Sequence, residues 1–281
     1  MTPDFHFSSR YLQQLAATHR DAYRSARPFP HAVIDDFMPE DVLDLVVAEF
    51  PEPSDSRWWA LDSSNERKLT GQDHTMFGPV TRHVLEQLNA AAFLDFLEGL
   101  TGIAGLIPDP HFHGGGLHQV ERGGHLSVHA DFNRHPVTGL ERRLNLLLYL
   151  NRGWQDAYAG ALELWDKDLR ACEQRILPVF NRCVVFTTSR FSYHGHPDPL
   201  ACPEGMARRS LALYYFSRER PATEDGENVR WYTHFAGDAE PTPAVDAFKR
   251  GLRRWLPPVA VDAAVAIRER LRGGRGDRPR G

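Results

Sequence analysis

The chain is poor in cysteine: Cys172, Cys183 and Cys202 are an odd number, and none is spaced as C-x-x-C. That scarcity excludes a disulfide framework and a cysteine zinc finger, and it suits reduced thiols in a reducing compartment. Also absent is any apolar run near the ~18 residues that a membrane span requires. The start, MTPDFHFSSR, has no basic segment followed by an apolar stretch, so a soluble, cytoplasmic protein is expected. Neither sign of charge dominates, with 33 Lys and Arg against 37 Asp and Glu. A balance so close to neutral argues against a general nucleic-acid or membrane-surface role. Basic residues gather only in the Gly-rich tail, at Arg268, Arg270, Arg272, Arg275, Arg278 and Arg280, which reads as solvated and disordered. No internal repeat is present.

What remains is an ordinary globular composition. With 281 residues and 42% hydrophobic content, the chain can bury roughly three quarters of the surface that its unfolded form exposes. Residues 1–108 read as mostly helical support within the same globule. HAVIDDF is a short strand, and Pro39 opens a helix with Val42, Leu45, Val46 and Phe50 at helical spacing. Residues 51–74, rich in Pro, Ser and Asp, read as a long surface loop. A second helical stretch, 80–100, carries Val84, Leu88, Phe93, Leu97 and Leu100 on one stripe.

From Gly114 the pattern becomes a series of short β-rich runs: GLHQV, HLSVHADF, RRLNLLLYL, ALELWD, RILPVF, RCVVFTT and RSLALYYF. No long helical pattern separates them, which argues against parallel βαβ units and for antiparallel strands in a double-sheet jelly roll. The expected fold is mainly β with helical support (α+β): a β core over 109–220, helices packed on it, and a helical extension with a basic tail over 221–281.

Within this core, His129 and Asp131 stand two apart in HLSVHADF, so on a strand both point to one face. With 14 His and 21 Asp in the chain, about one H-x-D arises by chance, and further copies do occur, one of them at His196 and Asp198. Context distinguishes the first copy. A strand-like run follows it, then His194 in a glycine and proline loop, then a strand beginning ARRS. Two neutral imidazoles and one carboxylate favour Fe(II), Mn(II) or Zn(II), and three protein ligands leave positions open. His196, beside two prolines, is the rival third ligand. Alternation along RRSLALYYF puts Arg208, Ser210, Ala212 and Tyr214 on one face and Arg209 on the other, solvent-facing side. A guanidinium and a hydroxyl two residues apart make a carboxylate clamp. The same rule aligns Asn145, Leu147 and Tyr149 in the preceding long strand, and the Tyr149 hydroxyl can share that carboxylate.

Taken together, HADF, LYLNRGW, GALELWD, PVFNRCVVF, SYHGHPDPL and RRSLALYYF resemble, in order, the Fe(II)- and 2-oxoglutarate-dependent oxygenases, and within them the prolyl 4-hydroxylase-like group. The resemblance covers about Asp109 to Ser217. It implies a double-stranded β-helix, with His129, Asp131 and His194 as iron ligands. Arg208 would then pair with the distal carboxylate of 2-oxoglutarate, assisted by Tyr149 and Ser210, with Asn145 also at the cosubstrate. It further implies dioxygen as oxidant, ascorbate as a candidate reductant, and hydroxylation of an unactivated C–H bond with release of succinate and carbon dioxide. Members that halogenate lack the carboxylate that Asp131 supplies. In two places the chain departs from the group: Gly160-Ala161 stands where relatives often have Gly-Gly, and His118 and Gln119 stand where several prolyl hydroxylases have a tyrosine.

Other classes compete less well. A catalytically silent jelly-roll module has no need of the full His129, Asp131, His194 and Arg208 set, and a zinc hydrolase of the H-E-x-x-H type lacks its string here. The expected partner is a small-molecule or peptide substrate, with contacts from Trp58, Trp59, His113 and Asn133. A prolyl residue in a peptide, a free amino acid and a biosynthetic intermediate fit the motifs equally.

Overall fold

A strand that is apolar along both faces must be covered on both, and RRLNLLLYL is such a strand in the computed structural model. The structure describes residues 6–220 and 233–237. The chain divides into two compact units, Met1–His135 with Gly139–Ala236, and Pro136–Thr138 with Gly237–Gly281. The second unit and the helical stretches expected beyond 240 lie almost wholly outside the described residues.

The first unit opens with α1 (Ser9–Ser25), β1 (His31–Ile34), α2 (Glu40–Ala48), β2 (Trp59–Asp62), β3 (Glu66–Gly71), α3 (Pro79–Leu88) and α4 (Ala91–Thr101). It continues through β4 (Ile107–Pro108), β5 (Gly116–Glu121), β6 (His125–Ala130), β7 (Glu141–Tyr149), β8 (Leu162–Trp165) and β9 (Cys172–Ile176). The last strands are β10 (Cys183–Thr187), β11 (His194–His196), β12 (Ala207–Ser217) and β13 (His234–Phe235). Pairing is antiparallel in the order β1-β10-β7-β12-β5-β3-β6-β11-β8-β9, a nearly closed barrel of the double-stranded β-helix kind.

Alternation divides β7 as its sequence suggests. Leu144, Leu146 and Leu148 join Cys183, Val185, Leu211, Leu213 and Tyr215 against the helices, through Leu12, Phe93, Phe96, Leu97 and Leu100. Tyr149 and Leu147 turn the other way and meet Leu162, Leu164, Val184 and Phe186. The helices are placed by specific contacts. Ser8 caps α1 by accepting the Tyr11 amide. Helix α3 has no capping side chain of its own; the Glu49 carboxylate accepts the amides of Val80 and Thr81 at 3.0 and 2.7 Å and the Thr81 hydroxyl at 2.7 Å. Gly78 makes room for that carboxylate, since a Cβ there would lie 2.3 Å from Glu49 Cδ.

Several expectations need correction. Residues 51–74 are not one loop: β2 and β3 form a hairpin, and β3 pairs with β5 through Leu69–Gly71 and with β6 through Glu66 and Arg67. Its residues are mostly exposed or half-buried, so the hairpin lacks the apolar alternation that marks a strand in sequence. On α2, Leu43 is buried and Leu45 is 53% exposed, because Leu43 shares the face of Val42 and Val46. The 80–100 stretch is two helices broken at Asn89–Ala90. The strand expected at RILPVF ends at Ile176, before Pro178, which has no amide to donate. None of the described helices is long and apolar enough to cross a membrane.

Core position sets the cost of truncation. Phe93→Ala, at a fully buried ring, is expected to lower unfolding free energy by about 3–5 kcal/mol, whereas Leu45→Ala should change it by no more than ~0.5 kcal/mol. Urea unfolding of the two variants checks this, and equal losses would refute the assignment of faces on α2.

Candidate metal and cosubstrate site

His129 and His194 are Cα partners across the β6–β11 ladder, and Asp131 follows directly after β6. The sequence placed His194 in a loop, but the structure puts it in a three-residue strand that also pairs with β8. Each imidazole is oriented by a carbonyl two residues earlier: Nδ1 of His129 lies 2.8 Å from Ser127 O and Nδ1 of His194 lies 2.9 Å from Ser192 O. A carbonyl can only accept, so each Nδ1 carries the proton and each Nε2 presents its lone pair inward. His129 Nε2 is 3.7 Å from Asp131 Oδ1 and His194 Nε2 is 3.5 Å from Asp131 Oδ2. One ligand atom from each residue falls within 4.8 Å of the others. These gaps are too wide for good hydrogen bonds, yet they suit donors around one ion bound at about 2.1 Å.

The electrostatics agree with a ligand set. Burial, reinforced by His194, pushes His129 down to about 3, and burial lowers His194 as well; neutral rings are the ligating form. Burial alone would raise Asp131, but Arg142, the two histidines and the Asn145 hydrogen bond outweigh it and hold the carboxyl well below the usual range.

The support beneath Asp131 was only partly visible in the sequence. Asn145 Nδ2 donates to Asp131 Oδ2 at 2.8 Å, Arg142 Nη2 lies 3.1 Å from the same oxygen, and Arg142 Nε donates to Asn145 Oδ1 at 2.9 Å. Asn145, expected at the cosubstrate, hydrogen-bonds both Asp131 and Arg142. Arg142 is 1% exposed and stacks on Tyr214, 3.4 Å from the ring centre, and on Phe132 at 4.6 Å. Strict alternation would turn Arg142 away from Asn145. An irregularity in the β7–β12 ladder, where Tyr215 pairs with Leu144 but Phe216 with Arg142, brings it round.

Arg208 and Ser210 lie on the inner face of β12, as alternation predicts. Arg208 Nε donates to Gly160 O at 2.8 Å and Nη2 to the Tyr149 hydroxyl at 3.1 Å. Gly160 has a φ of 73°, and a Cβ there would strike Leu200 at 2.5 Å and press on Arg208 Cδ at 3.2 Å, so the first glycine before LELW is required while Ala161 is tolerated. Arg208 is 5% exposed and has no carboxylate partner among the described residues. Ser210 is buried beside it. Arg209 turns outward but is not free: its Nε donates to Gln119 Oε1 at 2.8 Å, and its guanidinium lies over Phe50.

The structure also locates residues that the motifs left without a role. His118, opposite Ser210 on β5, is pushed down to about 3 by burial and by Lys68. Strand β13 pairs with β6 and sets Phe235 5.6 Å from the His129 ring; no local pattern could announce a contact a hundred residues away. Of the expected substrate contacts, Trp58 is packed on Phe50 with its indole donating to Glu52 O, so it belongs to the core. Trp59 is 39% exposed on β2. His113 lies against His135 and Phe132, and Asn133 is buried, its carbonyl accepting the Arg142 amide.

Comparison with known proteins meets this geometry. Residues 115–216 match the model of the 2OG-Fe(II) oxygenase superfamily. The segment is a 2OG-Fe(II) oxygenase domain. The chain is accordingly an oxidoreductase of the dioxygenase class, with Fe(II) and 2-oxoglutarate as its cofactors and dioxygen as oxidant. No curated protein matches. Among solved structures, a Pseudomonas putida prolyl-4-hydroxylase is 19% identical with a TM-score of 0.54, covering 73% of this chain and 100% of its own. A Trichoplax adhaerens prolyl hydroxylase, solved with a hypoxia inducible factor peptide, is 15% identical with a TM-score of 0.56, covering 77% and 95%. A prolyl 4-hydroxylase from Phytophthora capsici is 18% identical with a TM-score of 0.51, covering 92% and 79%. These likenesses establish the fold.

The buried histidines make the metal-free protein sensitive to acid. A free imidazole titrates near 6.5, while burial holds His129 near 3, so between those values the unfolded chain binds more protons than the folded one. Stability is complete above about pH 6.5 and is lost as pH falls toward 3; Asp131 adds its own loss below about pH 4. In chelator-containing buffer, Tm should fall between pH 8 and pH 5, and less steeply in His129→Gln. A Tm that is flat over that range would contradict neutral buried rings.

Proposed function

We propose that the protein is a cytoplasmic hydroxylase in which His129, Asp131 and His194 hold Fe(II), Arg208, Tyr149 and Ser210 bind 2-oxoglutarate, and a peptide or small molecule is oxidised at an unactivated C–H bond. The observation that carries this reading is Arg208. A guanidinium buried without a counter-ion is costly, and a dicarboxylate reaching from the triad to the clamp would neutralise it while its keto acid end chelates the ion. Iron with 2-oxoglutarate supplies oxidation by dioxygen at the cost of the keto acid, which leaves as succinate and carbon dioxide.

The chain's own residues would set the conditions for that chemistry. The two Nδ1 contacts fix which nitrogen each imidazole offers, and Arg142 with Asn145 keeps Asp131 ionised and oriented. Tyr149 and Gly160 aim Arg208 so that two of its N–H groups are already engaged and the rest of the fork is left for an anion. Phe235 and Phe186, packed on His129 and His194, screen the metal-side rings from water. The presence of Asp131 supports hydroxylation over halogenation. The three free thiols fit a reducing compartment.

The test needs no substrate. Anaerobic addition of Fe(II) and then 2-oxoglutarate should produce the visible charge-transfer band of a chelated keto acid, and the band should be absent in His129→Ala. In Arg208→Ala, iron should bind as before while the 2-oxoglutarate concentration for half-formation rises about thirtyfold or more, the scale of a lost buried charge contact. Iron binding with no band in the unmodified protein would overturn the reading in favour of a binding module or a zinc site.

A further inference from the structure

Thr70, His118, Ser210 and Tyr149 are successive Cα partners across β3, β5, β12 and β7, and directly paired residues of antiparallel strands point to one face. His118 therefore stands on the inner face of the barrel, next to a residue of the clamp. Its ring is held by the backbone: Nε2 donates to Gly114 O at 3.1 Å, and the Tyr214 hydroxyl donates to the same oxygen at 2.8 Å. Tyr214 in turn covers the Arg142 guanidinium that braces Asp131. Direct contacts thus join His118 to the metal carboxylate, and strand pairing joins it to Ser210.

The Gly114 carbonyl is itself fixed. Gln72 Oε1 accepts the Gly114 amide at 3.1 Å, and the two glycines that follow let the chain pass close to its neighbours: a Cβ on Gly115 would lie 2.6 Å from Ala212 O, and one on Gly116 2.3 Å from Gly71 O. Because a carbonyl only accepts, Nε2 carries the proton and Nδ1 presents a lone pair. Nδ1 has no partner among the described residues, and unlike Nδ1 of His125 or His196 it is not sealed off, for the ring is only half-buried. The adjacent Thr70 hydroxyl is open in the same way. Burial first, then the charges of Lys68, Arg208 and Arg142, keep the imidazole neutral.

The cavity therefore holds an accessible acceptor that its cosubstrate cannot use. 2-Oxoglutarate, ionised at both ends, offers only acceptors. An ammonium is disfavoured as well, because the cations facing the ring are Lys68, Arg208 and Arg142, and of these only Lys68, paired with Glu66 at 3.1 Å, and Arg142, paired with Asp131, are offset by the chain. What complements the lone pair is a neutral N–H or O–H on the other molecule that the site must hold. We propose that His118 is a substrate-binding residue whose Nδ1 accepts a hydrogen bond from a neutral amide N–H or hydroxyl of the substrate, with the Thr70 hydroxyl beside it. The inference rests on the reading of the cavity as an Fe(II) and 2-oxoglutarate site, and it narrows the substrate to a molecule carrying such a donor, at the expense of one whose only donor is a charged amine.

Ring nitrogen resonances of the unmodified protein, loaded with Zn(II) and 2-oxoglutarate, read the contact directly. Added N-methylacetamide, with a neutral N–H, or 2-propanol, with an O–H, should move the His118 Nδ1 resonance upfield, the first marking an amide partner and the second a hydroxyl. N,N-dimethylacetamide, which has no donor, and methylammonium should leave it in place. An Nδ1 that already carries the proton, no response to either neutral donor, an equal response to the dimethyl amide, or a stronger one to methylammonium would overturn the proposal. In the Fe(II) protein, His118→Leu should leave the 2-oxoglutarate concentration for half-formation of the charge-transfer band where it was; a rise of about tenfold, the scale of one hydrogen bond to a carboxylate, would make His118 a cosubstrate residue and equally overturn it. Failure of the unmodified protein to form that band would sink the reading of the site beneath the proposal, whereas a band without the selective shift sinks His118 alone.

Discussion

A carboxylate inside a β-barrel must be answered by positive charge or it will take up a proton, and Asp131 is answered twice. Arg142 and Asn145 hold one oxygen from behind, while the two imidazoles face the group from the front. Much else follows from that requirement. Arg142 is itself a fully buried cation, so it needs Asp131 as much as Asp131 needs it, and it needs the Tyr214 and Phe132 rings to cover its faces. The irregularity in β7 exists where this guanidinium has to be turned inward. The arrangement leaves the metal-side donors fixed before any ion arrives.

The second buried cation is treated in the opposite way. Arg208 is oriented by neutral groups alone, the Gly160 carbonyl and the Tyr149 hydroxyl. Of the buried arginines Arg142, Arg143 and Arg208, the first is neutralised by Asp131 and the last has no carboxylate partner among the described residues. That contrast supports the proposal of a recognition site at Arg208.

Sequence alone revealed those parts of the molecule in which local pattern and tertiary environment coincide. In β12, Arg208, Ser210, Ala212 and Tyr214 alternate with Arg209, Leu211, Leu213 and Tyr215, so period two is plain and the placement of Arg208 and Ser210 on one face could be read directly. Arg142 escaped because a one-residue irregularity breaks that period. The β2–β3 hairpin escaped because its stability rests on backbone pairing with β5 and β6 and not on a buried apolar face. Strand β11 is three residues long between glycine-, proline- and serine-rich neighbours, a length at which propensity carries no signal. Phe235 reaches His129 only through the return of the chain along β6.

Strand β7 carries Asn145, which braces the metal carboxylate, and Tyr149, which orients the clamp. Four residues of one rigid ladder therefore set how far apart the two ends of the site stand. A strand works as a ruler graduated only in pairs of residues, about 6.7 Å to a step, because a single-residue change would turn Tyr149 to the helix side. One methylene of keto acid is far finer than that graduation. The length of acid accepted can therefore be adjusted by side chains such as those on β12, and the backbone itself cannot be tuned to it.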